Sequence, residues 1–236
     1  MRLSDRLQEI SNNIDPEETM ADIGTDHGFL PLHLWETKKC SKVIMSDISK
    51  GSLEKARSNC KMYYPDEKFD LRLGSGIEVL QNAEVNAVVI AGMGGILMTE
   101  ILGLNIQKAH SFDKLILQPR NSIGKLRFWL SHNGFQIKRE SLVREGKYIW
   151  EILNVVNGNT DESFDDDDEN SIVWELPMSL VENPNKLTAE FLEKKLSIEN
   201  FVREKVLEGK IIDYDKLNQT DKRIEYIDIL LKKLER

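Results

Sequence analysis

A chain of 236 residues, 40% apolar and 31% charged, is long enough for one globular domain with a sizeable core and a remainder. No run approaches the ~18 apolar residues of a membrane span, and Met1–Glu9 has no apolar stretch of the kind a secretory signal carries, so a cytoplasmic location is expected. The net charge of −8 argues against a uniformly nucleic-acid-coating protein but leaves a local phosphate-binding face possible.

Leu3, Leu7, Ile10 and Ile14 form an apolar stripe that reads as a short amphipathic helix, ended by Pro16. Thr19–Ile23 is a strand closed by a Gly-rich turn, and Pro31 opens a helix to about Lys39. Lys42–Ser46 is the second strand, followed by a helix from about Ser49 to Tyr63. Phe69–Leu73 is a third strand. Val85–Ala91 is a continuous apolar run, as a strand buried on both faces would be, and Gly92-Met93-Gly94-Gly95 turns it into a helix. Leu115–Leu117 is a fifth strand and Ser122–Asn133 a helix. Phe135–Leu142 and Tyr148–Val156 then face each other across Arg144-Glu145-Gly146-Lys147 as a β-hairpin. Five βα steps and a hairpin predict a Rossmann-like, doubly wound, mostly parallel sheet with an antiparallel C-terminal edge.

Residues 161–169 hold seven acids and no base, which reads as a solvated loop. Beyond Pro184 the pattern becomes helical. Leu217, Ile224, Ile227, Leu231 and Leu234 make one stripe and Leu187, Phe191, Ile198 and Val202 another, broken apart at Gly209, as in a helical hairpin. The expected organisation is a domain over 1–157, an acidic connector over 158–185 and a helical region over 186–236, in a monomer rather than an oligomer.

The candidate chemistry lies at the strand ends. Ala21-Asp22-Ile23-Gly24-Thr25-Asp26-His27-Gly28 follows the first strand, where open α/β sheets bind cofactors. A dinucleotide fold would use G-x-G-x-x-G to approach a pyrophosphate, and this turn offers instead Gly24 and Gly28 among carboxylates, with Thr25 and His27 beside them. A cationic cofactor suits those acids better. S-adenosylmethionine has an ammonium and a sulfonium and no phosphate. Asp47, with Ile48 next to it, ends the second strand, where an acid can accept from both ribose hydroxyls. Gly74-Ser75-Gly76 and Gly92-Met93-Gly94 complete the rim expected to hold the cofactor. Gln118, Pro119, Arg120 and Asn121 end the fifth strand, and Gln118 and Asn121 have amides that could read a base edge. Residues 114–148 carry eight Lys/Arg against two Glu, and Arg120, Lys125, Arg127, Lys138, Arg139, Arg144 and Lys147 are the expected phosphate contacts. Asp26 is the expected catalytic residue, a carboxylate that stabilises positive charge or accepts a proton. The histidines and the two cysteines, Cys40 and Cys60, show no ligand spacing, so no metal is expected.

Together these strings resemble the bacterial tRNA (adenine-22-N1)-methyltransferases, the TrmK family. The resemblance rests on ADIGTDHGFLP (21–31), SDISKGSLEKA (46–56), RLGSGIEVL (72–80), IAGMGG (90–95), LQP with LRFWL (117–130), and the hairpin NGFQIKRESLVREGKYIWEI. It implies a class I methyltransferase domain, a coiled-coil-like helical tail, S-adenosylmethionine as methyl donor, and an adenosine of the tRNA D-arm as target. Ser75 stands where many members have Asp, and Arg120 where many have Asn. The alternatives are a small-molecule methyltransferase on the same cofactor site, and a non-catalytic RNA-binding module with a vestigial one.

Overall fold

The computed structural model describes residues 1–158 and 168–235, which fall into two compact units divided between residues 163 and 164. Most of the acidic run at 161–169 lies outside the described residues.

The first unit alternates helices and strands: α1 (Asp5–Asn12), β1 (Thr19–Ile23), α2 (Phe29–Glu36), β2 (Lys42–Asp47), α3 (Lys50–Tyr63), β3 (Asp70–Leu73), a 3₁₀ turn (Gly76–Val79), β4 (Ala87–Met93), α4 (Gly95–Gly103), α5 (Ile106–Ala109), β5 (Lys114–Pro119), α6 (Ile123–His132), β6 (Phe135–Glu145) and β7 (Tyr148–Asn157). Local chemistry sets several boundaries. The Ser4 hydroxyl accepts from Leu7 N–H at the start of α1, and Ser49 accepts from Ser52 N–H at the start of α3, satisfying donors that a first helical turn leaves unpaired.

The strands form one sheet in the order β3-β2-β1-β4-β5-β7-β6. The first five are parallel, and β7 runs antiparallel to both β5 and β6. Side chains alternate between the faces. On one face Ala21, Ile44, Val88 and Leu117 pack with Met98, Leu102, Leu126 and Leu130 of α4 and α6. On the other, Met20, Met45, Val89 and Ile116 pack with Ile10, Leu32 and Ala56 of α1, α2 and α3. From β1 the chain winds outward to β3, then returns to β4 on the other flank of β1. The carboxyl ends of β1 and β4 therefore border a crevice.

Several boundaries differ from the sequence reading by a few residues, and three of them have a visible local cause. The α2 helix starts at Phe29, with Pro31 inside its first turn, because Gly28 takes the left-handed conformation at the cap (φ 71°). Strand β4 starts at Ala87 because Asn86 acts as a clamp, its side-chain oxygen accepting from Thr19 N–H and Oγ1–H. The first hairpin strand extends past Leu142 to Glu145, which pairs directly with Tyr148 and leaves a two-residue turn at Gly146-Lys147.

The second unit contains α7 (Ile172–Glu175), α8 (Ser179–Glu182), α9 (Thr188–Leu207) and α10 (Tyr214–Leu234). Ion pairs Arg203–Asp221 (2.6 Å) and Arg223–Glu199 (2.7 Å) register α9 against α10 as an antiparallel hairpin. Glu175 takes Lys195 and Arg223, each at 2.7 Å, and Tyr226 O–H donates to the Leu176 carbonyl. The buried apolar residues of the pair are Phe191, Leu192, Ile227 and Leu230, with Leu187 buried just before α9 and Thr188 and Thr220 buried beside them. Ile198, expected in the seam, is exposed.

Candidate active site

At the end of β1, Asp22 is buried at 7% exposure and accepts from Thr25 Oγ1–H at 2.8 Å. Its carboxyl is pushed up from 3.8 to about 6, first by burial and further by the Asp47 charge, against the Thr25 hydrogen bond and the Arg6 cation. Gly24 and Thr25 turn sharply there, both N–H groups donating to the Ser46 carbonyl of β2 at 2.8 and 2.9 Å. That ties the first turn to the second strand end.

Asp47 lies at that second end. Its two carboxylate oxygens accept from Ser49 N–H (2.8 Å) and from Asp26 N–H (3.4 Å), each retaining a free lone pair. The helix that follows is capped by Ser49, so Asp47 is not its cap. Ile48 beside it is 73% exposed, an apolar platform next to an acid.

Asp26 has a left-handed backbone (φ 45°), uncommon for a residue with a side chain. Its carboxylate is half exposed, with Lys55 Nζ at 3.0 Å and His27 Nε2 at 3.4 Å. No side chain caps α2, so Asp26 does not serve that purpose. The His27 ring stacks on Phe29, centroids 5.3 Å apart and 6° from parallel.

The glycines of the rim divide by what a side chain would meet. Gly28 packs against Met45 and Ala56, Gly76 against Ile101, and Gly94 against the Asn121 amide. Gly74 lies against Val79, and its N–H donates to the Asp47 carbonyl. At Gly24 a methyl group would collide with the end of the Met93 side chain, so the β1 and β4 turns are in contact. Among these rim glycines, Gly92 has a positive φ (75°) with nothing within 4 Å of a would-be Cβ. Sequence inspection treats these glycines alike. Packing, which it cannot see, accounts for Gly28, Gly76 and Gly94. Ser75 is exposed and precedes the 3₁₀ turn without a side-chain bond to it.

The substrate candidates are dispersed. Arg120 is exposed, its N–H bonded to the Met93 carbonyl at 2.7 Å, and Asn121 is exposed beside Gly94. Pro119 is buried at the end of β5 and Lys125 half-buried on α6. Lys147 is at the hairpin tip, 5.2 Å from the Tyr148 ring centre. Two expectations need correction. Gln118 is 1% exposed and its amide is already committed, accepting from Arg6 (2.9 Å) and donating to the Pro119 carbonyl (2.9 Å). Arg127 is 2% exposed, buried between Glu140 (3.0 Å) and Glu151 (2.8 Å), so it is a structural cation rather than a phosphate contact. Lys114 is also buried, paired with Asp15 and Glu18 at the other end of β5, and Arg139 faces Glu9. The basic stretch of 114–148 is therefore not a single cationic face.

Sequence reasoning missed Arg6. From α1 it bonds Gln118 and, through Nε, Glu145 at 3.0 Å, and its charge acts on Asp22. Its spacing from Leu3 and Ile10, on the inward flank of the apolar stripe, was the available signal.

The donor set fits a cofactor with cationic and hydroxyl groups: two carboxylates at adjacent strand ends, an exposed apolar side chain, and open space over Gly92. Among the described residues no group of three or more His, Cys, Asp or Glu could hold a metal ion. No described helix is long and apolar enough to cross a membrane.

Strand order, switch-point crevice and acidic rim are those of a methyltransferase, and residues 3–153 match the family described as Methyltransferase domain. The chain is 32% identical over 165 residues to the tRNA (adenine(22)-N(1))-methyltransferase of Bacillus subtilis, covering 70% of this chain and 69% of that one. The crystal structure of the B. subtilis M1A22 tRNA methyltransferase TrmK superposes with a TM-score of 0.84 at 27% identity, over 98% of this chain and 99% of the other. That of M. capricolum TrmK in complex with the cofactor product S-adenosyl-homocysteine gives 0.79 at 25%, over 98% and 100%. The chain belongs to the tRNA (adenine(22)-N(1))-methyltransferase family.

Proposed function

We propose that this protein methylates N1 of the adenine at position 22 of tRNA, with S-adenosylmethionine as donor, as a cytoplasmic, metal-independent monomer. The observation that carries the assignment of roles is the Asp26 N–H to Asp47 hydrogen bond, which sets an acid available to the target base directly against the acid suited to the cofactor ribose. Asp22 would face a cationic end of the cofactor, Asp47 the ribose and Ile48 the adenine ring, with Gly92 leaving the backbone bare. When bound, S-adenosylmethionine supplies an electrophilic methyl group.

Adenine N1 attacks with a ring lone pair and needs no prior deprotonation, so positioning provides much of the rate. Methylation leaves the base cationic until N6 loses a proton. The half-exposed Asp26 carboxylate stabilises that charge and accepts the proton. Because N1 faces its partner in a duplex, the base must be unpaired or flipped out to reach the rim. Arg120 and Asn121 flank that approach.

Asp26→Asn keeps size and an acceptor oxygen but deletes the charge. Single-turnover methyl transfer to an unmodified tRNA should fall by about 10²-fold or more, with S-adenosylhomocysteine affinity within a few-fold of wild type by calorimetry. Normal transfer by Asp26→Asn would leave catalysis to positioning alone, and loss of cofactor binding would move Asp26 to the cofactor set.

A further inference from the structure

The helix α3 carries Lys50, Lys55, Arg57 and Lys61 against Glu54 alone, a cationic excess that the low overall pI conceals. Glu54 is itself paired with Arg57 at 3.3 Å. Gly51, Lys55 and Ser58 follow one another at helical spacing on an exposed face. Together with His27, Glu54 and Asn59 they line a depression of about 370 Å³ beside the Asp26 turn. The Lys55 ammonium donates to Asp26 Oδ1 at 3.0 Å. It has three N–H groups, so two remain for another acceptor. Asn59 Nδ2 donates to the His27 carbonyl at 2.9 Å, keeping one further N–H, and the exposed Ser58 hydroxyl adds a neutral donor.

We infer that this depression is a phosphodiester subsite for the RNA strand carrying the target base, with Lys55 as its charged donor and Ser58 and Asn59 as neutral ones. The inference rests on the tRNA-methylating reading above. It assigns the backbone contact to α3, whereas the sequence placed it on 114–148, where Lys114 and Arg127 are consumed by buried ion pairs. A phosphate held by Lys55 would be joined through that one ammonium to Asp26, so engaging the strand also fixes the acid that serves the base. The Glu54 carboxylate, at the edge of the depression and neutralised by Arg57, disfavours an anion less than its sign suggests.

The test is the salt dependence of binding to an unmodified tRNA transcript, measured by fluorescence anisotropy for wild type, Lys55→Met, Lys55→Arg and Lys68→Met. Lys68 is exposed near the opposite end of the sheet, just before β3, and reports the effect of losing any surface cation. Each phosphate neutralised contributes a slope of about 0.7–0.9 in log affinity against log salt. Lys55→Met should therefore lose about three-fold less affinity than wild type between about 50 and 200 mM salt, binding more weakly at the lower salt. Lys55→Arg should restore the wild-type slope and Lys68→Met should keep it. Wild-type affinity and slope in Lys55→Met, or an equal change in Lys68→Met, would overturn the subsite. Equal S-adenosylhomocysteine affinity across the variants establishes that they are folded. A wild type that binds the transcript with the expected slope yet transfers no methyl group would defeat the functional reading and leave the subsite standing.

Discussion

Burial of Asp22, at the proposed cofactor site, should make that carboxylate a destabilising feature of the free protein at neutral pH. The carboxyl is displaced from 3.8 to about 6, chiefly by burial. Between those values the folded state binds a proton that the unfolded state has released, so stability should fall as pH rises from about 4 to 6 and level off above. The displacement corresponds to a cost of about 3 kcal/mol at pH 7. Asp22→Asn removes the buried charge yet retains an oxygen to accept from Thr25 Oγ1–H. It should raise stability at pH 7 by about 2–3 kcal/mol, a Tm increase of about 4–12 °C for a chain of this size, and abolish the decline between pH 4 and 6. If Asp22 faces the ligand's ammonium as proposed, the same variant should bind S-adenosylhomocysteine poorly, and wild-type affinity should itself weaken as pH falls below about 6. Thermal denaturation across pH and calorimetric titration of both proteins supply the data. An Asp22→Asn protein that melts lower than wild type at pH 7 and binds the ligand equally well would show that the carboxylate only anchors the turn.

Gly92→Ala forces a side chain into a left-handed backbone, at about 1–2 kcal/mol, and puts a methyl group into open space. Tm should fall by only a few degrees while S-adenosylhomocysteine affinity drops at least about ten-fold, or 1.4 kcal/mol; unchanged affinity in a calorimetric titration would mean that no ligand passes over Gly92. Arg127→Met strands Glu140 and Glu151 in the interior at about 3–5 kcal/mol, lowering Tm by roughly 6–20 °C. Were Arg127 a phosphate contact, tRNA affinity would fall with Tm preserved, which thermal melts and binding assays separate.

The strand ends were legible because β1, β2 and β4 are short apolar runs closed by acids or glycines, and that pattern places Asp22, Asp47 and Gly92 on one rim without knowledge of packing. Partners distant in sequence were not legible. Arg127 looks like a surface cation on an amphipathic helix until β6 and β7 bring Glu140 and Glu151 around it. Gln118 looks free until α1 delivers Arg6. Gly28 and Gly76 resemble ligand-approach glycines, yet Met45 and Ile101 occupy the space beside them. The four-residue helices α7 and α8 are too short to show a helical period, and in α9 Leu192 is buried while Ile198 is exposed.

The central claim is tested most directly by incubating the protein with an unmodified tRNA transcript and S-adenosylmethionine labelled in the methyl group, then mapping the modified nucleoside. The account predicts label in N1-methyladenosine at position 22, and none in a transcript with guanosine at that position. Label in another nucleoside, or undiminished label in the guanosine-22 transcript, would contradict it.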